Sequence, residues 1–182
     1  MIKRAKAKGL NITASVAAIN LAFTDSAIHG FDSNFKVLPP LRGTDDVQAL
    51  KEGLKEGVID IINSNHVPLE KEAKELEFAY AKFGVIGLET TFCVANTYLN
   101  DTLEIEQLIK HLAYNSRALV NAEVPCIKEG EDANLTIFDP SLECVFKAED
   151  IRSKSKNTPF IGQKLKGKVL GVVNNNQLIL NH

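Results

Sequence analysis

The residues best suited to chemistry follow a nearly continuous apolar run. Val58–Ile62 is apolar except for Asp60, which needs a partner if it is buried, and Asn65 and His66 come shortly after the run. An amide cannot accept a proton from water at neutral pH, and it binds a divalent metal far more weakly than a carboxylate does. We therefore predict that Asn65 is catalytically silent. His66 either contacts a ligand or bonds to backbone at a strand end, and the sequence leaves both readings open.

Cysteine and histidine are too scattered to form a recognisable metal site. The three cysteines are an odd number and lie far apart in apolar surroundings, which favours buried, reduced thiols in a cytoplasmic protein over a disulfide framework. The four histidines form no H-x-H, H-x-x-H or H-E-x-x-H cluster, so we expect no metal site from this chain alone. These residues are Cys93, Cys126, Cys144, His29, His66, His111 and His182.

Composition excludes several classes of function. The 182 residues are 45% hydrophobic and 24% charged, with a net charge of −2. These values are ordinary for a globular protein and argue against a nucleic-acid surface. No apolar run approaches the roughly 20 residues that a membrane span needs, and no apolar core follows the basic start of the chain.

The first part of the chain predicts alternating strands and helices. We expect a helix that ends at Gly9, a strand within 10–16, a loop through Asn34 and an extended segment at 35–38. Thr44 is the expected N-cap of a helix that ends near Gly57, with a strand at 58–62 after it. This order is typical of a βαβ unit.

The remainder predicts further helices and then a β-rich unit. The charged run 70–77 is expected to be solvated, and helices are expected over 88–99, 102–112 and 116–119. Short β-rich runs follow at 135–138, 144–146, 169–173 and 177–180, with a hairpin turn at Asn174–Asn176. We therefore predict an α/β unit over 1–125 and a small β unit over 126–182.

Four segments, in order, resemble motifs of the dihydroorotase family. Phe35–Arg42 is similar to Phe-Lys-Val-Asn-Pro-Pro-Leu-Arg, and Phe83–Thr90 to Phe-Gly-x-x-Gly-Leu-Glu-Thr. Gly130–Asp139 resembles Gly-x-x-Ala-Asp-Leu-x-x-Phe-Asp, and Ser153–Phe160 resembles Ser-Lys-Ser-x-Asn-Thr-Pro-Phe. The resemblance implies a TIM-type amidohydrolase barrel with a β-sandwich beside it, and active residues at the carboxyl ends of the strands.

The departures from the family pattern fall on its working positions. Asn65 stands where the family's Thr-Asp-His-Ala-Pro-His has its metal-linked Asp, and Leu69 stands where that motif has its second His. Leu38 replaces the substrate-binding Asn, while Phe83 and Gly84 keep family-equivalent substrate positions. The family's Thr-Pro-His-His corresponds to residues 17–20. We expect Leu38 and Leu69 either to fill the vacated space or to line an apolar pocket.

The matched region corresponds to about the last two of the family's eight barrel strands. Two strands cannot close a barrel, and their edges carry unpaired backbone groups. We therefore expect a partial barrel that belongs to a longer polypeptide, or that completes its sheets by association.

Three functional hypotheses follow. The first is an inactive dihydroorotase homologue with a structural or partner-binding role; the resemblance implies aspartate carbamoyltransferase or another copy as the partner. The second is an active, metal-dependent dihydroorotase, interconverting N-carbamoyl-L-aspartate and dihydroorotate, when the chain is part of a longer protein that supplies the family's zinc. The third is a binding protein for another small cyclic ligand at Leu38 and Leu69.

Overall fold

A computed structural model describes residues 1–174 and 177–181 and shows an α/β fold. Seven short helices and five strands follow one another along this part of the chain, with 3₁₀ turns between some of them. The helices are α1 Ile2–Ala7, α2 Ile19–Ala22, α3 Thr44–Lys55, α4 Lys71–Lys74, α5 Thr91–Leu99, α6 Ile105–Ile109 and α7 Asn115–Leu119. The strands are β1 Ser15–Ala17, β2 Ile61–Asn63, β3 Leu135–Val145, β4 Lys164–Asn174 and β5 Gln177–Leu180. Among the described residues, none of the helices is long and apolar enough to cross a membrane.

A parallel pair of strands forms the centre of the first part. β1 and β2 pair in parallel with Val16 opposite Ile62, and a further parallel bridge joins His66 to Val85. Both strands are shorter than predicted, although each lies at or beside its predicted run. The carboxyl ends of β1 and β2 therefore lie side by side, as the βαβ order requires.

Helix α3 connects the two strands and confirms the predicted amphipathic helix. Its buried residue is Leu54, and Gly57 follows with φ of 70°, as expected for a glycine after a helix end. Gly43, rather than Thr44, occupies the N-cap and makes no side-chain cap bond. The predicted cap was therefore wrong by one residue.

Several other predicted boundaries differ from the structure. The expected loop through Asn34 contains α2 and two 3₁₀ turns, Asp25–Gly30 and Ser33–Phe35. α5 and α6 each begin about three residues after their predicted starts, at Thr91 and Ile105. Helical segments as short as α2 and the two 3₁₀ turns show no hydrophobic period, so the sequence pattern could not reveal them.

The helical segment 105–119 is interrupted by a π-helical turn. Lys110–Tyr114 joins α6 to α7, and His111 is the buried residue of the turn. The wider π turn brings His111 and Asn115 to one acceptor, since His111 Nδ1 lies 2.9 Å and Asn115 Nδ2 lies 2.6 Å from the Asp60 carbonyl oxygen. This turn therefore fixes the helix against the amino end of β2.

The carboxyl-terminal part forms an antiparallel sheet in the order β3–β4–β5. It confirms the predicted β-rich unit, although the proposed division at residue 125 stays a prediction. The predicted hairpin turn at 174–176 falls on positions 175 and 176, which lie outside the described residues. The sheet packs against α5, where Asn96 Nδ2 donates to the carbonyl oxygens of Pro140 and Lys166 at 2.9 Å each.

A single buried cluster connects the strands with the helices. Phe23 lies at its aromatic centre, with ring centroids 5.0 Å from Phe35 and 5.2 Å from Phe160. Cys93 packs at the edge of this cluster, and burial raises the pKa of its thiol to about 11. The expectation of buried thiols therefore holds in part for Cys93, which is partly buried, but it is wrong for Cys126, which is exposed.

Candidate functional site

The candidate site lies at the carboxyl ends of β1 and β2, where a barrel of this type has its active residues. We call it the strand-end site and define it by Leu38, Asn65, His66, Leu69 and Gly84. The parallel bridge between His66 and Val85 places Phe83 and Gly84 beside the residues that follow β2. The structure thus brings together the positions that the sequence singled out.

Asn65 acts as a hydrogen-bond donor. Its φ is 45°, a left-handed conformation that Asn adopts more readily than most residues. Its backbone N–H donates to Asn63 Oδ1 at 3.0 Å, and its side-chain Nδ2 donates to the Leu38 carbonyl oxygen at 2.8 Å. An ionised carboxylate has no proton to donate there. The amide therefore connects the loops that follow the two strands.

His66 bonds to backbone. Its Nδ1 accepts from the N–H groups of Gly87 at 3.2 Å and Leu88 at 3.4 Å. The structure therefore supports the strand-end reading of this residue. The imidazole also fixes the start of the Gly-Leu-Glu-Thr motif against β2.

The two leucines of the strand-end site have different surroundings. Leu38 is 56% exposed, so it fills no cavity within the described part of the chain, contrary to one expectation. Leu69 is half-buried and lies against Gly84, where an added Cβ would approach Leu69 Cδ1 to 2.9 Å and Val67 Cγ1 to 2.8 Å. Gly84 also has φ of 153°. Only glycine fits this place without displacing its neighbours.

Phe83 lies on the surface of the site, where it is 47% exposed. The Lys36 Nζ lies 4.8 Å from the centroid of the Phe83 ring, which is within cation–π range. The same ammonium donates to the carbonyl oxygens of Phe78 at 2.7 Å and Ala79 at 2.8 Å. Lys36 is therefore a buried tether for the segment that carries Phe83.

Lys74 corrects the prediction that the charged run 70–77 is solvated. This lysine is only 6% exposed, and its Nζ donates to the carbonyl oxygens of Lys82 at 2.9 Å and Gly84 at 3.0 Å. Desolvation lowers the pKa of Lys74 to about 8, although the nearby Asp32 carboxylate opposes the shift. Its exposed neighbours Lys71 and Glu75 form a surface ion pair at 3.1 Å, as a solvated face would.

Asn157 is a contributor that the sequence did not single out. It lies in the Asn-Thr-Pro-Phe motif and is buried. Its Nδ2 donates to the Val67 carbonyl oxygen at 3.0 Å, and its Oδ1 accepts from the Leu69 N–H at 3.3 Å. The closing motif therefore holds the segment after β2 in place, which explains its polar residue without any catalytic role.

Glu89 has a comparable structural role at the other end of the Gly-Leu-Glu-Thr motif. Its two carboxylate oxygens accept from the backbone N–H groups of Arg152 at 2.8 Å and Ser153 at 3.0 Å. Two of the family-like motifs are thus bonded to each other. Nothing in a single sequence reveals that an acidic residue bonds to a distant turn, so this contact could not be predicted.

The residues at the two strand ends do not fit a zinc ion. Zinc in proteins is held by imidazole, thiolate and carboxylate groups. Here the strand ends supply the amides of Asn20 and Asn65 and the imidazole of His66, whose Nδ1 already accepts backbone hydrogen bonds. Across residues 1–174 and 177–181, no group of three or more His, Cys, Asp or Glu side chains converges. Arg42, the last residue of the Phe35–Arg42 motif, forms an exposed contact with Asp46 at 3.6 Å.

Solved structures identify the fold as that of amidohydrolases. The L-hydantoinase (dihydropyrimidinase) from Arthrobacter aurescens superposes with a TM-score of 0.90 at 25% identity, over 99% of this chain and 42% of that one. The inactive dihydroorotase-like domain of the Chaetomium thermophilum CAD-like multifunctional protein superposes with a TM-score of 0.68 at 20% identity, over 97% of this chain and 46% of that one. The predicted α/β class and partial amidohydrolase barrel are therefore confirmed.

Sequence similarity narrows the class to one family. The chain is 43% identical to the dihydroorotase of Thermoanaerobacter sp. over 93% of its length, and 42% identical to that of Caldicellulosiruptor saccharolyticus over 98%. It spans 39% and 42% of those two relatives. No family model matches the sequence. The chain belongs to the dihydroorotase family and corresponds to about two fifths of the length of these relatives.

Proposed function

We propose that this chain is a catalytically silent member of the dihydroorotase family with a structural or partner-binding role. The observation that carries the proposal is the hydrogen bond from Asn65 Nδ2 to the Leu38 carbonyl oxygen. The position that holds a metal-linked carboxylate in the resembled family serves here as a donor between two loops. A group used in this way neither takes a proton from water nor binds a metal strongly.

Two further observations support this proposal. Leu38 and Leu69 present apolar surface where the family resemblance implies polar substrate contacts. The motif residues that persist, Asn157 and Glu89, bond to backbone and so preserve the scaffold. The Chaetomium domain that shares this fold and is described as inactive provides a precedent, although its 20% identity supports the fold alone.

The test is metal content and turnover of the full-length protein. We expect no stoichiometric zinc and no cyclisation of N-carbamoyl-L-aspartate above the uncatalysed background. The triple variant Asn65→Asp, Leu38→Asn, Leu69→His restores the three family residues and serves as the comparison. We expect it to recover turnover only if the remainder of the protein supplies the other metal ligands. Stoichiometric zinc together with turnover in the unmodified protein would overturn the proposal.

A second candidate function is metal-dependent dihydroorotase activity within a longer protein. The identity of 43% over 93% of the chain favours it, because the scaffold has stayed close to that of proteins named dihydroorotase. Under this alternative, the remainder of the barrel supplies the metal ligands. The unmodified full-length protein then turns over substrate, and Asn65→Ala changes its kcat, whereas the silent reading predicts no turnover to change.

The partner and the location are also proposals. We propose a cytoplasmic protein that associates with aspartate carbamoyltransferase or with another copy of itself, on the basis of its relationship to dihydroorotases. Size-exclusion chromatography of the purified chain, with and without purified aspartate carbamoyltransferase from the same organism, tests both associations. Elution of a monomer in both runs would contradict them.

A further inference from the structure

A cavity lies near the amino end of β2, at the end of the β1–β2 pair opposite the strand-end site. Its volume is about 700 Å³, which is within the range of small-molecule sites. The floor includes the buried side chains of Leu54, Ile59 and Leu103. Polar residues surround this floor, so the cavity combines an apolar base with hydrogen-bonding walls. We call it the amino-end cavity.

His111 supplies an unused acceptor in this cavity. The residue is only 8% exposed, and it lines the cavity. Its Nδ1 faces the Asp60 carbonyl oxygen at 2.9 Å, and a carbonyl accepts only, so Nδ1 carries the proton. In the neutral imidazole, Nε2 is then an acceptor. Among the described residues, Nε2 has no hydrogen-bond partner. The one unpartnered side-chain atom that is fully enclosed in this part of the chain is Asn20 Oδ1, so Nε2 is accessible from the cavity.

The backbone around His111 departs from regular α-helical geometry. His111 lies in the π-helical turn Lys110–Tyr114, and π turns inside α-helices occur frequently at functional sites. The turn aims both His111 and Asn115 at the amino end of β2. Buried apolar packing alone does not require an imidazole in this place. The π turn therefore holds His111 at the cavity wall, with Nδ1 bonded to the backbone and Nε2 left for a ligand.

The charges at the mouth favour an anion. Lys55 and Lys110 line the cavity and are exposed. The one carboxylate that lines it, Asp60, is neutralised by Lys6 Nζ at 2.6 Å and accepts from the Ala14 N–H at 2.8 Å. The two mouth lysines have no carboxylate partner among the ion pairs of the described residues. A negatively charged group at the mouth would therefore meet two free ammonium groups.

We propose that the amino-end cavity binds a nucleoside monophosphate or a ligand of the same chemistry, with a planar ring, a hydrogen-bond donor and one anionic group. The ring would pack on Leu54, Ile59 and Leu103, and an N–H or O–H of the ligand would donate to His111 Nε2. The phosphate would lie between Lys55 and Lys110. This site is separate from the strand-end site, so the inference does not depend on the proposed function.

The test is calorimetric titration of the full chain with uridine 5′-monophosphate and adenosine 5′-monophosphate. Uridine and inorganic phosphate serve as probes of the ring and of the anion alone. We expect at least one nucleotide to bind at least about tenfold more tightly than either part, because both ends of the cavity contribute. Lys55→Gln with Lys110→Gln should raise its Kd about tenfold, while Lys154→Gln, an exposed lysine elsewhere, should leave it unchanged.

A spectroscopic readout tests the role of His111 without substituting the residue. The ¹⁵N resonance of His111 Nε2 in the unmodified protein should shift when the nucleotide is added, because the acceptor gains a donor. Absence of binding by both nucleotides at millimolar concentration would overturn the proposal. Equal affinity for phosphate and nucleotide would also overturn it, and so would binding that leaves the Nε2 resonance unmoved or the double lysine variant unaffected.

Discussion

Replacing a carboxylate by an amide at Asn65 changes the electrostatics of the loop contact as well as its chemistry. The Leu38 carbonyl oxygen lies 2.8 Å from the amide nitrogen, so the contact is attractive only while a proton lies between the two atoms. This makes the amide part of the structure of the strand-end site. A substitution of Asn65 by Asp therefore carries a stability cost.

We expect Asn65→Asp to lower the free energy of unfolding by about 1–3 kcal/mol at pH 7, because two oxygens then face each other. Repulsion by the Leu38 carbonyl should raise the pKa of the new carboxyl in the folded state. A native state that binds more protons than the unfolded state gains stability as pH falls. The defect should therefore shrink towards acidic pH in chemical denaturation of both proteins.

Asn65→Gly is the matched control, since glycine accepts φ of 45° without strain and has no side chain to repel the carbonyl. It loses the hydrogen bond at every pH. A defect in Asn65→Asp that matches that of Asn65→Gly from pH 4 to pH 8 would exclude the repulsion.

Gly87 is required by close packing. A Cβ at this position would lie 2.2 Å from the Ser64 carbonyl oxygen, which is backbone and cannot rotate away. We expect Gly87→Ala to destabilise the chain by about 3 kcal/mol, at the upper end of the range for overpacking. Gly30→Ala is the control, because nothing lies within 4 Å of its added Cβ. Thermal unfolding of the two variants measures the difference, and equal melting temperatures would contradict the expectation.

The segment 75–84, which follows α4 and contains no helix or strand, is held by two buried lysines. Lys36 and Lys74 together donate to four carbonyl oxygens between Phe78 and Gly84. Buried ammonium groups are stable only when their hydrogen bonds are satisfied. The position of Phe83 beside the strand-end site thus depends in part on Lys74, which the charge pattern alone assigned to the surface.

Lys74 gives this segment a pH dependence with a defined sign. Its pKa is about 8 in the folded protein and near 10.5 when exposed, so the unfolded chain binds more protons between these values. Its contribution to the free energy of unfolding should therefore rise from pH 8 to pH 10.5, by at most about 3 kcal/mol. Lys74→Met should remove this contribution, whereas Lys71→Met should retain it.

The measurement is the difference between each variant and the unmodified chain across this pH range. Cys93 and Tyr98 have raised pKa values and oppose the rise, because their protons are retained longer in the folded state. Both residues are present in all three proteins, so their effect cancels in the difference. An identical pH profile for Lys74→Met and the unmodified chain would rule out the assignment.

The elements that the sequence predicted well are those encoded by local pattern. Val47, Leu50 and Leu54 recur at helical spacing, and α3 lies within two residues of the predicted range. The family-like motifs also gave the fold, which the superposed structures confirm. These features need only neighbouring residues or a known family.

The features that were missed depend on partners distant in sequence. Burial of Lys74 requires the carbonyls of Lys82 and Gly84, and the tether from Asn157 reaches a segment about 90 positions earlier. The donor role of Asn65 depends on the Leu38 carbonyl, 27 positions earlier. Such contacts leave no periodic signal, so a single sequence predicts the residue type without predicting its use.

The two edges of the carboxyl-terminal sheet differ in how they are protected. β3 carries Pro140 and two register irregularities, which discourage the addition of another strand. β5, at the other edge, has no charged residue, and Leu178, Ile179 and Leu180 are each more than half exposed. Within the described residues, β5 is therefore an edge of this sheet that is open to pairing.

We expect the isolated chain to associate at micromolar concentration, and Leu178→Lys to weaken the association at least about tenfold. A lysine on an edge strand opposes pairing through its charge and hydration. Sedimentation velocity over a concentration series measures the change. Ile161→Lys, at another exposed apolar position outside the sheet, is the control. Unchanged sedimentation of Leu178→Lys would place the contact elsewhere.

The bonds of Asp60 offer a way to monitor the folded chain. Its carboxylate accepts from the Ala14 N–H, and its own N–H donates to the Ala14 carbonyl oxygen at 2.9 Å. The amide proton of Ala14 is therefore protected from exchange while its bond to the Asp60 carboxylate is intact. Its deuterium uptake would act as a single-site gauge of whether this end of the molecule is intact, in any variant and without a functional assay.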